Sequence, residues 1–399
     1  MAFLSPPRFR YEMSIFSLFH VSIQQKSFYQ RIERIAIHKC KEYLLDSLNK
    51  LECGGAFMKK IDWNRTDLID ETAGVLLQQT QADKEKLKHE RGVHMEESQQ
   101  NRVKITKVEV NAAGQEQISK KQGVYITLSI PTLTSEDQHG FSQLQESLIH
   151  YLHDLHKDLK ITAESKILVI GLGNKTITPD AIGPYTIDAM HKKQSELQEP
   201  KFILYAPGVT GQTGFETSDY IHALTEKIKP SLVIIIDALA TSGSARLCRT
   251  IQLTNTGIHP GGGVGNHRKE ISKEVLGVPV TAIGIPTVVE APILIADAID
   301  VAFRSIAAKI QEKGKPSGKL SVTNWTPVNE EVDLSKVEPI FGQWATWPNE
   351  DRRQLFEEVF STHPERLMVT PKEVDFWLSQ YAFLLGESLF TWIEQKQST

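Results

Sequence analysis

Between residues 166 and 312 short apolar runs alternate with amphipathic stretches, and this alternation limits the possible folds more than any other feature of the chain. Ile167 to Gly171, Phe202 to Ala206, Leu232 to Asp237, Arg249 to Leu253 and Val280 to Ile285 have the length and composition of strands. Gly183 to Lys192 (opened by Pro184), Thr217 to Lys229, His267 to Leu276 and Val288 to Glu312 carry helical spacing. Strands separated by helices predict a mostly parallel sheet flanked by helices, an α/β domain. Leu232 to Ile236 is apolar at every position, as a strand covered on both faces requires. Upstream, Val103 to Val110 and Gly123 to Ile130 alternate apolar and polar residues around Asn111 and Gly114, which predicts a hairpin. Phe141, Leu144, Leu148, Leu152, Leu155 and Leu159 then predict a helix with one buried face. The polar stretch from Met58 to about residue 101 predicts a solvated leader. Lys313 to Gly318 predicts a linker, with helices beyond it at about Asp351 to Ser361 and Pro371 to Gln395. The apolar stripe of the last helix predicts a docking or core face.

The 399 residues allow two or three domains, and 45 basic against 49 acidic side chains give a net charge of −4. That balance lacks the cationic field that phosphate backbones attract, so no direct nucleic-acid ligand is expected. Apolar runs fall well short of the roughly 20 residues that span a bilayer, so no membrane partner is expected. Three cysteines make no disulfide framework, which predicts a reducing, intracellular setting. Residues 1–57 differ in character, with an aromatic, basic opening and an amphipathic stretch from Phe28 to Leu51. Cys53-Gly54-Gly55-Ala56-Phe57-Met58 is what a purine-rich ribosome-binding sequence followed by an initiator codon would encode, so Met58 is expected as the natural start and 1–57 as a non-native extension.

Nucleotide motifs fail at single positions. Gly171-Leu172-Gly173-Asn174 has Thr176 where a dinucleotide fingerprint needs its third glycine, and Gly208 to Gly214 lacks the lysine of a phosphate loop. His89 and His94 are one residue too far apart to share a helix face as zinc ligands. No cofactor and no metal are therefore expected. Two aspartates stand out: Asp180 follows the first central strand and opens the next helix, and Asp237 ends the run Leu232 to Ile236. Both are placed at the carboxyl edge of the sheet, where open α/β folds bind ligands. Carboxylates brought close cannot both ionise cheaply, and the resulting split suits a pair to activate water and protonate a leaving group. The surrounding glycine loops permit close backbone approach to a ligand or a neighbouring chain, which makes Gly211, Gln212, Thr213 and His259 substrate-binding candidates, and they equally fit tight connections alone.

These segments together resemble the germination protease family of spore-forming bacteria. The resemblance rests on Gly171-Leu172-Gly173-Asn174 with Thr178-Pro179-Asp180-Ala181-Ile182-Gly183-Pro184, Ala206-Pro207-Gly208-Val209, Gly211-Gln212-Thr213-Gly214, Glu216-Thr217-Ser218-Asp219, Ile236-Asp237-Ala238-Leu239-Ala240, Thr256-Gly257-Ile258-His259-Pro260-Gly261, Gly263-Val264-Gly265-Asn266 and Gly284-Ile285-Pro286-Thr287-Val288-Val289. It implies an atypical aspartic endopeptidase on a phosphorylase/hydrolase-like three-layer fold, with Asp180 and Asp237 as the functional aspartates. It also implies a substrate among small acid-soluble spore proteins, a homotetramer, and a cytoplasmic setting in the forespore or spore core. Arg65-Thr66-Asp67-Leu68 resembles the family's self-processing site, with cleavage expected between Asp67 and Leu68. An acidic residue before the cut makes Arg246, Arg249 and Arg268 candidates for binding it. The implied organisation is a propeptide over 58–67, a peptidase domain over 68–312 and a C-terminal helical region over 313–399. Ile69-Asp70-Glu71-Thr72 departs from the Ala-Val-Glu-Ala common in the family, as do Thr254-Asn255 and Glu290 from its usual residues. Two other functions fit the residues: a metal-dependent maturation-type peptidase recruiting His259, and a non-catalytic module whose glycine loops hold an anionic ligand.

Overall fold

The computed structural model describes residues 66–72, 92–208, 216–260, 269–312, 332–360 and 366–398. All belong to one compact unit, Trp63–Thr399. Among the described residues a nine-stranded mixed sheet runs in the order β1-β2-β3-β7-β8-β6-β4-β5, with β9 paired to β8. Its strands are β1 (Val93–Gln100), β2 (Val103–Val110), β3 (Gly123–Ser129), β4 (Ile167–Gly171), β5 (Ile203–Tyr205), β6 (Leu232–Thr241), β7 (Thr250–Thr254), β8 (Val280–Glu290) and β9 (Met368–Val369). The helices are α1 (Ala112–Ile118), α2 (Gln138–Leu155), α3 (Ile182–Gln194), α4 (Thr217–Ile228), α5 (Lys273–Leu276), α6 (Ala291–Glu312), α7 (Glu338–Phe341), α8 (Asn349–Phe360) and α9 (Val374–Gln397). None of the described helices is long and apolar enough to cross a membrane.

The unbroken apolar runs explain the three layers. Along a strand successive side chains point to opposite faces. Leu232, Ile234 and Ile236 accordingly join the core beneath α2, α3 and α9, while Val233 and Ile235 join the core beneath α4 and α5. β4 divides the same way, Ile167 and Val169 against Leu168 and Ile170. β5, β4, β6 and β8 run parallel, the arrangement helical crossovers produce.

Several elements differ from the sequence expectation. The expected hairpin is part of the same sheet: β3 pairs with β7, which runs antiparallel to β8. Its connection is not a turn but α1, because the Asn111 side chain caps a helix by accepting from the Gly114 amide at 3.1 Å. Within the stretch expected to be a solvated leader, Val93–Gln100 is a strand whose outer half is exposed, and it pairs along its whole length with β2. The helix expected from His267 is the single turn Lys273–Leu276 among the described residues, and the one expected from Val288 starts at Ala291 because β8 continues to Glu290. The C-terminal helix α9 is part of the main core: Trp377, Leu378, Tyr381, Leu385, Leu389 and Trp392 are buried with α2, α3 and the sheet, and the Tyr381 hydroxyl donates to the Cys248 carbonyl at 3.0 Å.

Candidate active site

Asp237 does not end its strand. β6 runs on to Thr241 because β8 stays beside it, with a register shift between Leu239 and Ala240. The β4 ladder, however, stops at Gly171 opposite Ile236, so Asp237 is the first β6 residue past the end of β4. It is buried, and its Oδ1 accepts from the Ala238 amide at 2.9 Å. Asp180 closes a 3₁₀ turn, Thr178–Asp180, that leads into α3. The Asn174 amide donates both to its Oδ2 at 2.8 Å and to its carbonyl at 3.0 Å. What sets α3 over the β4–β6 junction is Gly183: a Cβ there would come within 2.2 Å of the Leu172 carbonyl oxygen and 2.6 Å of that of Ile236. The structure thus brings the two aspartates to one edge of the sheet, one half-buried on the turn and one buried on the strand.

A row of residues crosses the sheet at Asp237. Asp237 on β6 and Gln252 on β7 are both in register with Gly284 on β8. Side chains in one row share a face. Their neighbours Ile236 and Ile251 belong to the α2/α3/α9 core, so Asp237 and Gln252 face the other way. With strands about 4.8 Å apart, their backbones stand roughly 10 Å from each other. Gly284 leaves space between them that Leu239 fills; a Cβ on residue 284 would meet Leu239 at 2.4 Å.

The segment around Asp67 and Leu68 lies against this same region. The Asp67 amide donates to the Ala240 carbonyl at 3.1 Å, and the Ala240 amide donates to Asp67 Oδ2 at 2.8 Å. Gln252 brackets the next bond, its Nε2 donating to the Asp67 carbonyl at 3.1 Å and its Oε1 accepting from the Ile69 amide at 2.7 Å. Leu68 and Ile69 are fully buried, and the Leu68 amide donates to Thr66 Oγ1 at 3.1 Å. The helical turn 69–72 adds two anchors. Glu71 accepts from Thr241 Oγ1 at 2.6 Å and from the amide and hydroxyl of Ser242 at 2.8 Å each, and it also takes the Thr66 hydroxyl. Asp70 is paired with Arg246; burial pushes its carboxyl above the ordinary range, against the opposing pull of the guanidinium.

The expected substrate-binding residues are distributed unevenly. Arg246 is directed at Asp70, Arg249 donates to the Leu133 carbonyl at 2.9 Å, and the Ala240 amide is a donor to the Asp67 carboxylate. His259 is exposed, 3.6 Å from Glu270. Gly211, Gln212, Thr213 and Arg268 lie outside the described residues. Among the described residues no group of three His, Cys, Asp or Glu side chains converges as a metal site would require. Gln252 and Ala240 carry no sequence signal: a glutamine between Ile251 and Leu253 reads as the polar position of an alternating strand, and a main-chain donor leaves no mark in composition.

Residues 70–398 match the family model described as germination protease. A germination protease from Geobacillus sp. (strain WCH70) is 37% identical over 342 residues, 82% of this chain and 92% of the relative. That of Priestia megaterium is 38% identical over 341 residues, again 82% and 92% of the two chains. Among solved structures, the [NiFe] hydrogenase maturation protease HycI from Thermococcus kodakarensis is 19% identical, covers 34% of this chain and 80% of its own, and has a TM-score of 0.26.

Proposed function

This chain belongs to the germination protease family, and on that premise we propose that it is an endopeptidase made as a self-processing zymogen, cut between Asp67 and Leu68, that initiates the degradation of small acid-soluble spore proteins during germination. The observation that carries this reading is the placement of the Asp67 to Leu68 peptide, docked on Ala240 three residues along β6 from Asp237. Residues 58–67 are then the propeptide, 68–312 the peptidase domain and 313–399 a helical region, in a homotetramer of the spore core. Asp180 and Asp237 act as a pair: one accepts a proton from water as it adds to the peptide carbonyl, and the other donates to the departing nitrogen. The two titrate as a unit, so the roles belong to the pair. The acidic residue before the cut is received by the Ala240 amide, a donor whose hydrogen bond to a carboxylate is charge-assisted.

The test is a chain beginning at Met58, incubated as the pH is lowered and followed by intact mass beside an Asp237→Asn control. A product beginning at Leu68 in the wild type alone is the expected result. Equal cleavage in both chains removes Asp237 from the mechanism, and intact chains in both remove self-processing.

A further inference from the structure

We propose that Gln252 is a catalytic residue of the self-processing step: its Nε2 amide is the hydrogen-bond donor to the carbonyl oxygen of the bond that is cut. The inference rests on the reading of Asp67 to Leu68 as the processing site, and it adds a group to the aspartate pair.

Three observations converge on Gln252. It contacts the carbonyl itself, donating from Nε2 to the Asp67 oxygen at 3.1 Å. Its orientation is fixed from the far side of the bond, because Oε1 accepts from the Ile69 amide at 2.7 Å. A glutamine offers an acceptor oxygen and a donor nitrogen, and that pair of partners uses both. Finally, it is buried on the row and face that carry Asp237, two strands away across Gly284, with Leu239 filling the space above that glycine.

The chemistry asks for such a donor. Water oxygen adds to the Asp67 carbonyl carbon, and the carbonyl electron pair moves onto oxygen. The pair returns as the carbon–nitrogen bond breaks, a proton passes to nitrogen, and the products are a carboxyl group on Asp67 and a free amine on Leu68. Negative charge builds on the oxygen that Nε2 already touches, so the hydrogen bond strengthens from ground state to transition state, which is what accelerates a step. Burial removes the competing water that would weaken it. Because the substrate is part of the chain, the first-order rate of self-cleavage reports this step without a binding term.

The experiment follows release of the Leu68 terminus by intact mass in the wild-type chain beginning at Met58 and in Gln252→Met and Gln252→Glu. Gln252→Met keeps the side-chain length and loses the donor, and its rate is expected to fall about 100-fold, the typical cost of one such donor. Gln252→Glu keeps the acceptor for the Ile69 amide and lacks the donor until its carboxyl is protonated, so the ratio of wild-type to variant rates is expected to narrow as pH falls. A structural defect would leave that ratio constant. A Gln252→Met chain that melts within a few degrees of wild type yet processes as fast or faster overturns the proposal, as does a pH-independent ratio for Gln252→Glu. A wild-type chain that never releases Leu68 overturns the self-processing reading, and this inference with it.

Discussion

The parallel strands β5, β4, β6 and β8 and the antiparallel strands β1, β2, β3 and β7 form one sheet, yet they are stabilised differently. In the parallel half apolar side chains cover both faces, and every residue of β4 is buried, while the terminal β5 is half-buried. In the antiparallel half one face shares the main core through Ile126, Leu128, Ile251 and Leu253, while the other, among the described residues, carries the smaller cluster of Ile69, Val93, Val108, Val110, Ile118 and Tyr125. The lesson is about where chemistry is placed. Asp237 belongs to the first half and Gln252 to the second, and β8, parallel to β6 and antiparallel to β7, is the seam between them. The parallel half holds Asp237, and the peptide spans the seam, with Asp67 and Glu71 held on the β6 end and the Asp67 carbonyl on Gln252 of β7.

The comparison breaks most sharply at Asp237. Asp237→Asn is expected to lower hydrolysis of an acidic peptide by about 10²- to 10⁴-fold, the contribution of a positioned acid or base, with the melting curve little changed. Comparable rates would detach the chemistry from the parallel half. Stability should follow the same division: Ile234→Ala, which empties a fully buried site, is expected to cost about 2–5 kcal/mol by denaturant titration.

A pH effect of similar size belongs to the same half. His156, buried between Thr281 of β8 and Trp392 of α9, has its imidazole pushed down from 6.5 to about 4 chiefly by burial. The unfolded chain therefore binds a proton that the folded one refuses between those values, and stability is lost as pH falls from 6.5 to about 4. The loss is about 3 kcal/mol from a difference of that size, and His156→Gln should flatten this limb of the pH–stability curve. At the antiparallel edge, by contrast, Lys104 and Glu97 form an exposed pair at 3.1 Å. Its removal by Glu97→Ala should change the unfolding free energy by only about 0.2–1 kcal/mol, and less in high salt. A larger loss would show that β1 contributes more than its exposure suggests.

The same contrast explains what the sequence disclosed. Continuous apolar runs mark the parallel strands without ambiguity, and a charged residue directly after such a run, as at Asp237, is conspicuous. Val93–Gln100 is not, because an edge strand with a polar outer half has the composition of a solvated segment. The short α5 was overestimated because the apolar spacing of Ile271, Val275 and Leu276 fits a helix, whereas Ile271 makes an isolated antiparallel bridge with Ile258. At the site, Asp180, Asp237, Asp67 and Leu68 are legible as residues, and the shared sheet edge of the two aspartates follows from the strand pattern; the seating of Asp67 beside them is not legible, since its partners Gln252 and Ala240 contact it from a row of the sheet and through a main-chain amide. Arg246, conspicuous as a cation, is directed at Asp70, a pairing 176 positions apart that only the fold reveals.

The two ends of the sheet bear on how the molecule behaves among its own copies. A strand with free amides and carbonyls along one side is a template for recruiting another chain, and long, flat, apolar edges seed fibrils. Among the described residues one terminal strand, β5, is only three residues long, and the other, β1, carries Glu96 and Glu97 along an exposed outer half. A second copy approaching β1 would have to lay like charges side by side, and one approaching β5 would gain too few hydrogen bonds to stay. As the concentration rises, the sheet is a poor nucleus for aggregation at either end.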